Sequence, residues 1–264
     1  MSRVRAVFVL AAALIAAPLA AAPDPPTPSP ATQSPATQSS VQAWLQAVDD
    51  ARNAFGEAFL KARATQLDQG SPTGSADFDI YVKGRDKALI VFRGGKNDGR
   101  KALTVGEKMW LIVPGAQNAV PITPNQRLLG GASFGDVARL RFAEDFTAEL
   151  RPGTEDVGGR RCHVLDLTAR SPKAPFPKVT LWVDAEGPPL PRKLVFALPS
   201  GKRARQVLFT QFKKVQGKTC VSEMEVQDLI GPQTKSVTKI EYLDIKPAEI
   251  DEKIFTPDGA RALS

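Results

Sequence analysis

Apolar and polar residues alternate with a period of two through most of the chain beyond residue 75. The stretch Gly106–Ile122 departs from this alternation, because its first strand is apolar on both faces. The two faces are Met109, Leu111 and Val113 on one side and Trp110 and Ile112 on the other. With Gly115–Asn118 as the turn, the stretch is predicted to form a hairpin. A strand of this kind is either sandwiched between two layers or lines a cavity on one side.

Similar strand patterns follow one another almost to the end of the chain, separated by turns such as Lys96–Gly99 and Gly187–Pro189. About 10–11 strands without intervening helices predict one large antiparallel meander. The expected fold is therefore mainly β with some α: a curled antiparallel sheet, or open half-barrel, covered by one long N-terminal helix and short helical turns.

The long helix is predicted from a different period. Ser39 or Ser40 can cap a helix that runs to about Gln66. Its apolar stripe must lie on another surface, and the concave face of the curled sheet is the surface available. An open barrel covered by a helix has an apolar interior that suits the tail of a small molecule. The stripe consists of Trp44, Val48, Ala51, Phe55, Phe59 and Ala62.

The N-terminus has the pattern of an exported protein. A basic start, the apolar run Ala6–Leu19 and the small residues Ala20–Ala22 predict that residues 1–22 are a cleavable signal peptide. The run is too short for a convincing membrane span. No cysteine lies near the cleavage region, so no lipobox is expected. We therefore expect the mature protein in the bacterial periplasm.

Residues 23–40 are rich in Pro, Ser, Thr and Ala and contain the repeat SPATQ-SPATQ. They are predicted to be a disordered linker, followed by one domain over residues 41–264. The formal charge of +7 falls to +5 without Arg3 and Arg5, and the basic residues are scattered along the sequence. This indicates a solvated surface, with anionic lipid headgroups or an acidic partner as the alternative. We expect a monomer that does not bind nucleic acid.

One motif suggests catalysis. Gly131–Gly135 matches the G-x-S-x-G nucleophile elbow, with Ser133 as the nucleophile and His163, the only histidine, as the base. The surrounding strands lack the strand–helix alternation that this motif requires, so a glycine-rich loop with a chance serine is the preferred interpretation. A serine hydrolase using Ser133 and His163 is kept as an alternative. We expect no catalytic residues and no cofactor.

The two cysteines, Cys162 and Cys220, would meet an oxidising environment in the periplasm. Several predicted strands separate them, which opposes a disulfide, whereas strong curvature of the sheet favours one. Both outcomes stay open. One histidine and two cysteines argue against a zinc site, and no metal is expected.

Three segments carry a family resemblance. GEKMWLIVPG with the later GGASFGD, the strand VTLWVDAEGPPLPRKLVF, and the ending IDEKIFTPDGARAL resemble motifs of the bacterial outer-membrane lipoprotein-sorting protein family. That family is related to the periplasmic lipoprotein carrier and its outer-membrane receptor. The resemblance implies a half-barrel covered by helices, a cavity that holds acyl chains, and transfer without enzymatic chemistry.

The leading hypothesis is a periplasmic carrier for lipoproteins or lipids, with an inner-membrane transporter or an outer-membrane acceptor as candidate partners. The alternative from the same fold is an envelope regulatory or sensor module that binds a partner protein. The acyl-chain cavity is predicted to be lined by Trp44, Val48, Phe55, Ile80, Val82, Val91, Trp110, Ile112, Val183, Phe196, Phe209 and Val226.

Overall fold

The computed structural model describes residues 35–123, 126–134, 141–171, 174, 176–230 and 234–263. The predicted signal peptide and the linker up to residue 34 lie outside these residues. The helices are α1 (Pro35–Arg52), α2 (Phe142–Asp145) and α3 (Pro257–Ala262), with short 3-10 helices at Gly95–Asn97 and Glu252–Phe255. The strands are β1 (Glu57–Asp68), β2 (Ser71–Lys83), β3 (Lys87–Arg93), β4 (Lys101–Val105), β5 (Lys108–Ile112), β6 (Val120–Ile122), β7 (Arg127–Leu129), β8 (Ala132–Ser133), β9 (Phe146–Leu150), β10 (Glu155–Val157), β11 (Arg160–Ala169), β12 (Lys178–Asp184), β13 (Pro191–Ala197), β14 (Arg203–Val215), β15 (Lys218–Asp228) and β16 (Ser236–Pro247).

Within the described residues, 14 strands form one sheet, against the 10–11 expected, and β7 and β8 form a separate pair. The order is β10-β11-β12-β13-β14-β15-β16-β1-β2-β3-β4-β5-β6, with β9 also beside β11. The prediction of an open antiparallel half-barrel is confirmed. The simple meander is not, because the first and last strands, β1 and β16, are neighbours near the middle of the sheet.

The prediction for the N-terminal helix is wrong for its second half, and it starts the helix too late. The helix starts at Pro35, inside the predicted linker, and Glu57–Asp68 is strand β1. Phe59 and Ala62, three residues apart, would share a face of a helix, but in the strand they belong to different apolar clusters. Pairing decides the matter, since β1 lies between β16 and β2 and pairs with both along nearly its whole length. As an extension of α1, this segment would leave the facing edges of β16 and β2 without hydrogen-bond partners.

The two faces of the sheet carry separate apolar clusters. On β3, Ile90 and Phe92 belong to the cluster beneath α1, whereas Leu89 and Val91 pack against the C-terminal residues Ile250, Phe255 and Ala260. We call the first the concave cluster and the second the C-terminal cluster. Alternate residues of a strand point to opposite faces, so α1 and the C-terminal segment cover opposite sides of the sheet.

The hairpin predicted at Gly106–Ile122 is present as β5 and β6, with Met109 opposite Ile122 and Leu111 opposite Val120. It lies at one edge of the sheet, and the other edge is formed by β9 and β10. The hairpin is thus a border element rather than the centre of the fold.

Candidate functional site

Helix α1 lies across the concave face and supplies the roof of the concave cluster. Its buried stripe has helical spacing, with Val41, Leu45 and Val48 at most 3% exposed and Trp44 partly buried beside them. Sequence reasoning found Trp44 and Val48 but missed Val41 and Leu45. The predicted lining residues that the structure places in or against this cluster are Trp44, Val48, Ile80, Val82, Val183, Phe196, Phe209 and Val226.

Three predicted lining residues lie on the wrong face. Val91, Trp110 and Ile112 belong to or pack against the C-terminal cluster, while Met109 and Leu111 face α1. Both faces of β3 and β5 are apolar, so the sequence pattern cannot state which face meets α1. Shifting the assignment by one residue exchanges the side chains on the two faces of the strand, and the prediction contains such a shift.

Phe55 lies in the connection between α1 and β1 rather than on the helix. Its ring is partly buried, and the Lys218 ammonium lies 5.1 Å from the ring centroid. The same ammonium donates a hydrogen bond to the carbonyl oxygen of Ala54, with an N–O distance of 2.8 Å. Lys218 therefore attaches the end of α1 to the β14–β15 turn.

A cleft of about 440 Å³ opens beside this attachment, between α1 and two turns of the sheet. Its walls are mostly small or apolar, with one acidic and one basic side chain. None of these residues was predicted as a site residue, because alanines and prolines in turns carry no recognisable signal. The lining residues are Ala47, Asp50, Ala51, Ala54, Pro188, Pro189, Leu190, Lys218 and Thr219.

Polar groups fix α1 to helix α2. The Asp49 carboxylate, 6% exposed, accepts hydrogen bonds from the backbone N–H groups of Phe142 and Ala143 at 2.9 and 3.0 Å. Gln42 donates to the carbonyl oxygen of Ala143 at 3.1 Å. Burial raises the pKa of Asp49, although the two N–H donors and the nearby Arg52 and Arg85 act in the opposite direction.

Ser133 and His163 are engaged separately. Ser133 is 1% exposed, and its hydroxyl accepts a hydrogen bond from Arg205 at 2.7 Å, while Arg205 also donates to Asp228 at 3.2 Å. The imidazole of His163 stacks on Trp44 with ring centroids 4.5 Å apart. A nucleophile elbow needs an exposed hydroxyl beside its base, and this arrangement supplies neither.

The glycines of the same loop have a structural role. Gly130 has φ +54°, and a Cβ there would lie 2.5 Å from the Thr238 hydroxyl oxygen. The backbone N–H of Gly131 donates to that hydroxyl at 2.9 Å. Close approach to β16 therefore accounts for Gly130, and a Cβ on Gly131 would lie 3.3 Å from the backbone nitrogen of Asp228 on β15; Gly135 lies outside the described residues.

Cys162 and Cys220 are both buried and both free, so of the two outcomes that the sequence left open the structure has the one without a disulfide. Strands β12, β13 and β14 separate β11 from β15. Four strand spacings of about 4.8 Å greatly exceed the Cα separation of about 7 Å that a disulfide tolerates. Burial raises the pKa of the Cys162 thiol to about 11, with Asp184 contributing in the same direction.

The part of the chain that the structure describes contains no group of three or more His, Cys, Asp or Glu side chains suited to a metal ion. None of its described helices is long and apolar enough to cross a membrane.

A family model described as "Uncharacterized protein" matches residues 84–259. Among curated proteins, Escherichia coli K12 DNA helicase IV is 28% identical over 132 residues, which cover 48% of this chain and 18% of the helicase. The chain thus spans less than a fifth of that relative, and the helicase activity is not carried over to it.

Three solved structures share the fold over most of both chains. A LolA superfamily protein of Nitrosomonas europaea has a TM-score of 0.73 and 22% identity, covering 83% of this chain and 98% of its own. A DUF1329 family protein of Desulfovibrio piger has a TM-score of 0.72 and 18% identity, with coverages of 84% and 98%. A putative outer membrane lipoprotein-sorting protein domain of Vibrio parahaemolyticus has a TM-score of 0.70 and 15% identity, with coverages of 83% and 97%. The resemblance noted in the sequence is confirmed at the level of the fold.

Proposed function

The chain belongs to the family of uncharacterized proteins whose model it matches over residues 84–259, and we propose that it is a non-enzymatic carrier of lipids or lipoproteins. In this proposal the acyl chains lie between α1 and the concave face of the sheet. Residues 1–22 would export the protein to the periplasm, where it would receive cargo from an inner-membrane transporter and pass it to an outer-membrane acceptor.

The observation that carries the proposal is the roof that α1 forms over a continuous apolar face. The concave cluster runs from Met109 on β5 to Leu165 on β11, and α1 is the long helix that lies on it. Displacing α1 uncovers a concave apolar surface without unfolding a strand. Each CH₂ group buried there stabilises a complex by about 0.8 kcal/mol, so acyl chains bind such a surface without specific polar contacts.

Closed packing of the concave cluster sets a condition on this mechanism. Val48 and Val226 are fully buried, and Phe196 is 2% exposed. Acyl chains therefore have to replace side-chain contacts made by α1, and loading has to move the helix. The polar attachments of Asp49 and Lys218 at two positions along the helix are the contacts that such movement breaks.

The three tryptophans allow a direct test. Trp44 is on α1 at the concave cluster, whereas Trp110 packs on the C-terminal cluster and Trp182 on the convex side of β12. Brominated acyl chains quench indoles that they touch. We expect brominated phospholipid to quench Trp44 alone, so that Trp44→Phe removes the quenching and the matched variants Trp110→Phe and Trp182→Phe retain it.

Two results would oppose the proposal. Equal loss of quenching in all three variants would mean that the lipid does not bind preferentially at the concave face. Absence of any quenching, together with a purified protein whose organic extract contains no lipid by mass spectrometry, would leave the fold without the carrier function.

The alternative of a partner-binding module has a candidate surface at the sheet edge. Strand β6 is the last strand on its side, and Val120 is 52% exposed. An added strand would meet Pro121, which lacks an N–H donor and so weakens edge-to-edge pairing. Stoichiometric capture of one envelope protein by a lipid-free sample would favour this alternative.

A further inference from the structure

The sheet is incompletely joined between β15 and β16. These strands pair only from Glu223 to Gln227 on β15. Yet β15 continues its pairing with β14 from Lys218, and β16 continues its pairing with β1 to Pro247. We call the unpaired gap, between Lys218–Ser222 on one side and Tyr242–Pro247 on the other, the seam.

A small cavity lies at the seam, and the Phe55 side chain is part of its wall. Phe55 lines a small cavity of about 20 Å³ together with Cys220 and Val221 of β15 and with Tyr242 and Ile245 of β16. Leu60 and Val82, which pack against the concave cluster, line the same cavity. The Phe55 side chain therefore lies between the seam and residues that pack against the concave cluster, and Arg52 and Asn53 add polar groups to the same cavity wall.

Two lysines of the β14–β15 hairpin lie at the seam: Lys213 reaches across it to β16, and Lys218 reaches the connection between α1 and β1. Lys213 donates to the carbonyl oxygens of Tyr242 and Leu243 at 2.8 and 3.3 Å. Lys218 donates to Ala54 and lies over the Phe55 ring. Among the described residues, both ammonium groups have backbone carbonyls as their hydrogen-bond acceptors. An anionic oxygen is a stronger acceptor than a neutral carbonyl, so these ammonium groups gain by exchanging one for the other.

We propose that the seam binds the acyl chain of an amphiphile that has an anionic headgroup, with the chain in the place of the Phe55 ring and Lys213 and Lys218 on the headgroup oxygens. The inference rests on the proposed carrier function and adds to it a place of entry and a headgroup preference. The chain enters through the wall of the half-barrel, and the end of α1 loses one of its attachments when Lys218 leaves Ala54.

Binding of two ligands with the same chain tests the headgroup. Palmitate has a carboxylate, whereas hexadecanol is neutral. Lys213→Met and Lys218→Met keep an apolar stem, and each should weaken palmitate binding about two- to fivefold and leave hexadecanol unchanged. Lys214→Met, at the exposed neighbouring position, is the matched control and should bind both ligands as the unmodified chain does.

Removal of the ring tests the position of the chain. Phe55→Ala should tighten palmitate binding because no ring has to be displaced. Phe59→Ala, an aromatic truncation on the C-terminal cluster, is the matched control and should leave palmitate binding unchanged. Weaker binding by Phe55→Ala, or identical effects on palmitate and hexadecanol in the lysine variants, would overturn the proposal.

Labelling of the two native cysteines tests where palmitate binds, without a measurement of binding affinity. Cys220 lines the seam, and Cys162 lies with Trp182 and Val195 on another part of the sheet. Palmitate should slow maleimide labelling of Cys220 in the folded protein and leave Cys162 unaffected; Phe55→Ala should accelerate labelling of Cys220 alone. If palmitate binds and quenching locates brominated chains at Trp44 while Cys220 labelling is unchanged, the seam is excluded and the carrier function stands. If no acyl ligand binds, both fail.

Discussion

The indole of Trp44 lies parallel to the imidazole of His163, with ring centroids 4.5 Å apart and ring planes 10° apart. The pair joins α1 to β11, so the only histidine of the chain packs against the helix that covers the concave cluster. This contact holds the helix at a position distinct from the Asp49 and Lys218 attachments.

A double-mutant cycle measures that contact. Trp44→Ala and His163→Ala should be less than additive in the free energy of unfolding, with a coupling energy of about 0.5–1.5 kcal/mol, because stacked aromatic pairs contribute this much beyond the area they bury. Urea unfolding of the four proteins gives the value. Strict additivity would mean that the rings are adjacent without stabilising each other.

Asp49 should give the protein an unusual acid response. Burial raises its pKa in the folded state, so the folded protein binds the proton more tightly than the unfolded chain does. The resulting stability is fully present below the ordinary carboxyl pKa and is lost as the pH rises through the raised value. The stability of the unmodified chain relative to Asp49→Asn should therefore increase as the pH falls, measured by urea unfolding across the acidic range.

Asp77 is the matched control with the opposite sign. The hydrogen bond from Arg63 lowers its pKa, so its contribution is present above the ordinary carboxyl pKa and is lost as the pH falls through the lowered value. The loss caused by Asp77→Asn should be small, about 0.2–1 kcal/mol, since both partners are about half exposed. A relative stability that changes in the same direction with pH for both variants would contradict the assignment of Asp49 as the group held by burial.

Substitution of Asp228 should lower the free energy of unfolding more than substitution of Ser133. Arg205 and Asp228 have side chains only 8% and 11% exposed. Asp228→Ala leaves a buried guanidinium without its carboxylate and should cost about 3–5 kcal/mol. Ser133→Ala removes one hydrogen bond to a charged group and should cost about 1.5–3 kcal/mol. Thermal and urea unfolding measure both.

The same Ser133→Ala protein tests the hydrolase alternative. We expect no labelling of the unmodified chain by a serine-directed phosphonate and no change in acyl-chain binding on substitution. Labelling that disappears with Ser133→Ala would restore the alternative.

Gly130→Ala should destabilise the loop between β7 and β8. The added Cβ would lie 2.5 Å from the Thr238 hydroxyl oxygen, and φ is +54°. Backbone strain of about 1 kcal/mol or more adds to the clash. The double variant Gly130→Ala with Thr238→Ala should recover the part due to the clash. An unchanged melting temperature in the single variant would show that the loop readily moves away from β16.

The lining residues of the candidate site could be predicted only on strands where a single face is apolar. Val183 and Phe196 lie in the concave cluster, because β12 and β13 have apolar residues at alternate positions on that face. Trp110 and Ile112 were misplaced because β5 is apolar on both faces. The cleft beside Ala54 and the seam could not be predicted from the sequence. Each is formed by segments that are distant in sequence, and most of their residues belong to no recognisable motif.

The sequence by itself determined that this protein has an open sheet of antiparallel strands, a hairpin at Gly106–Ile122 and an apolar helix around Trp44 and Val48. These features depend on local period and on turn residues, which act over a few positions of the chain. Only the tertiary structure decided that Glu57–Asp68 is a strand between β16 and β2, and that Cys162 and Cys220 stay apart. Those outcomes depend on long-range backbone pairing, whose free energy exceeds local helix propensity and has no trace in any short window of sequence.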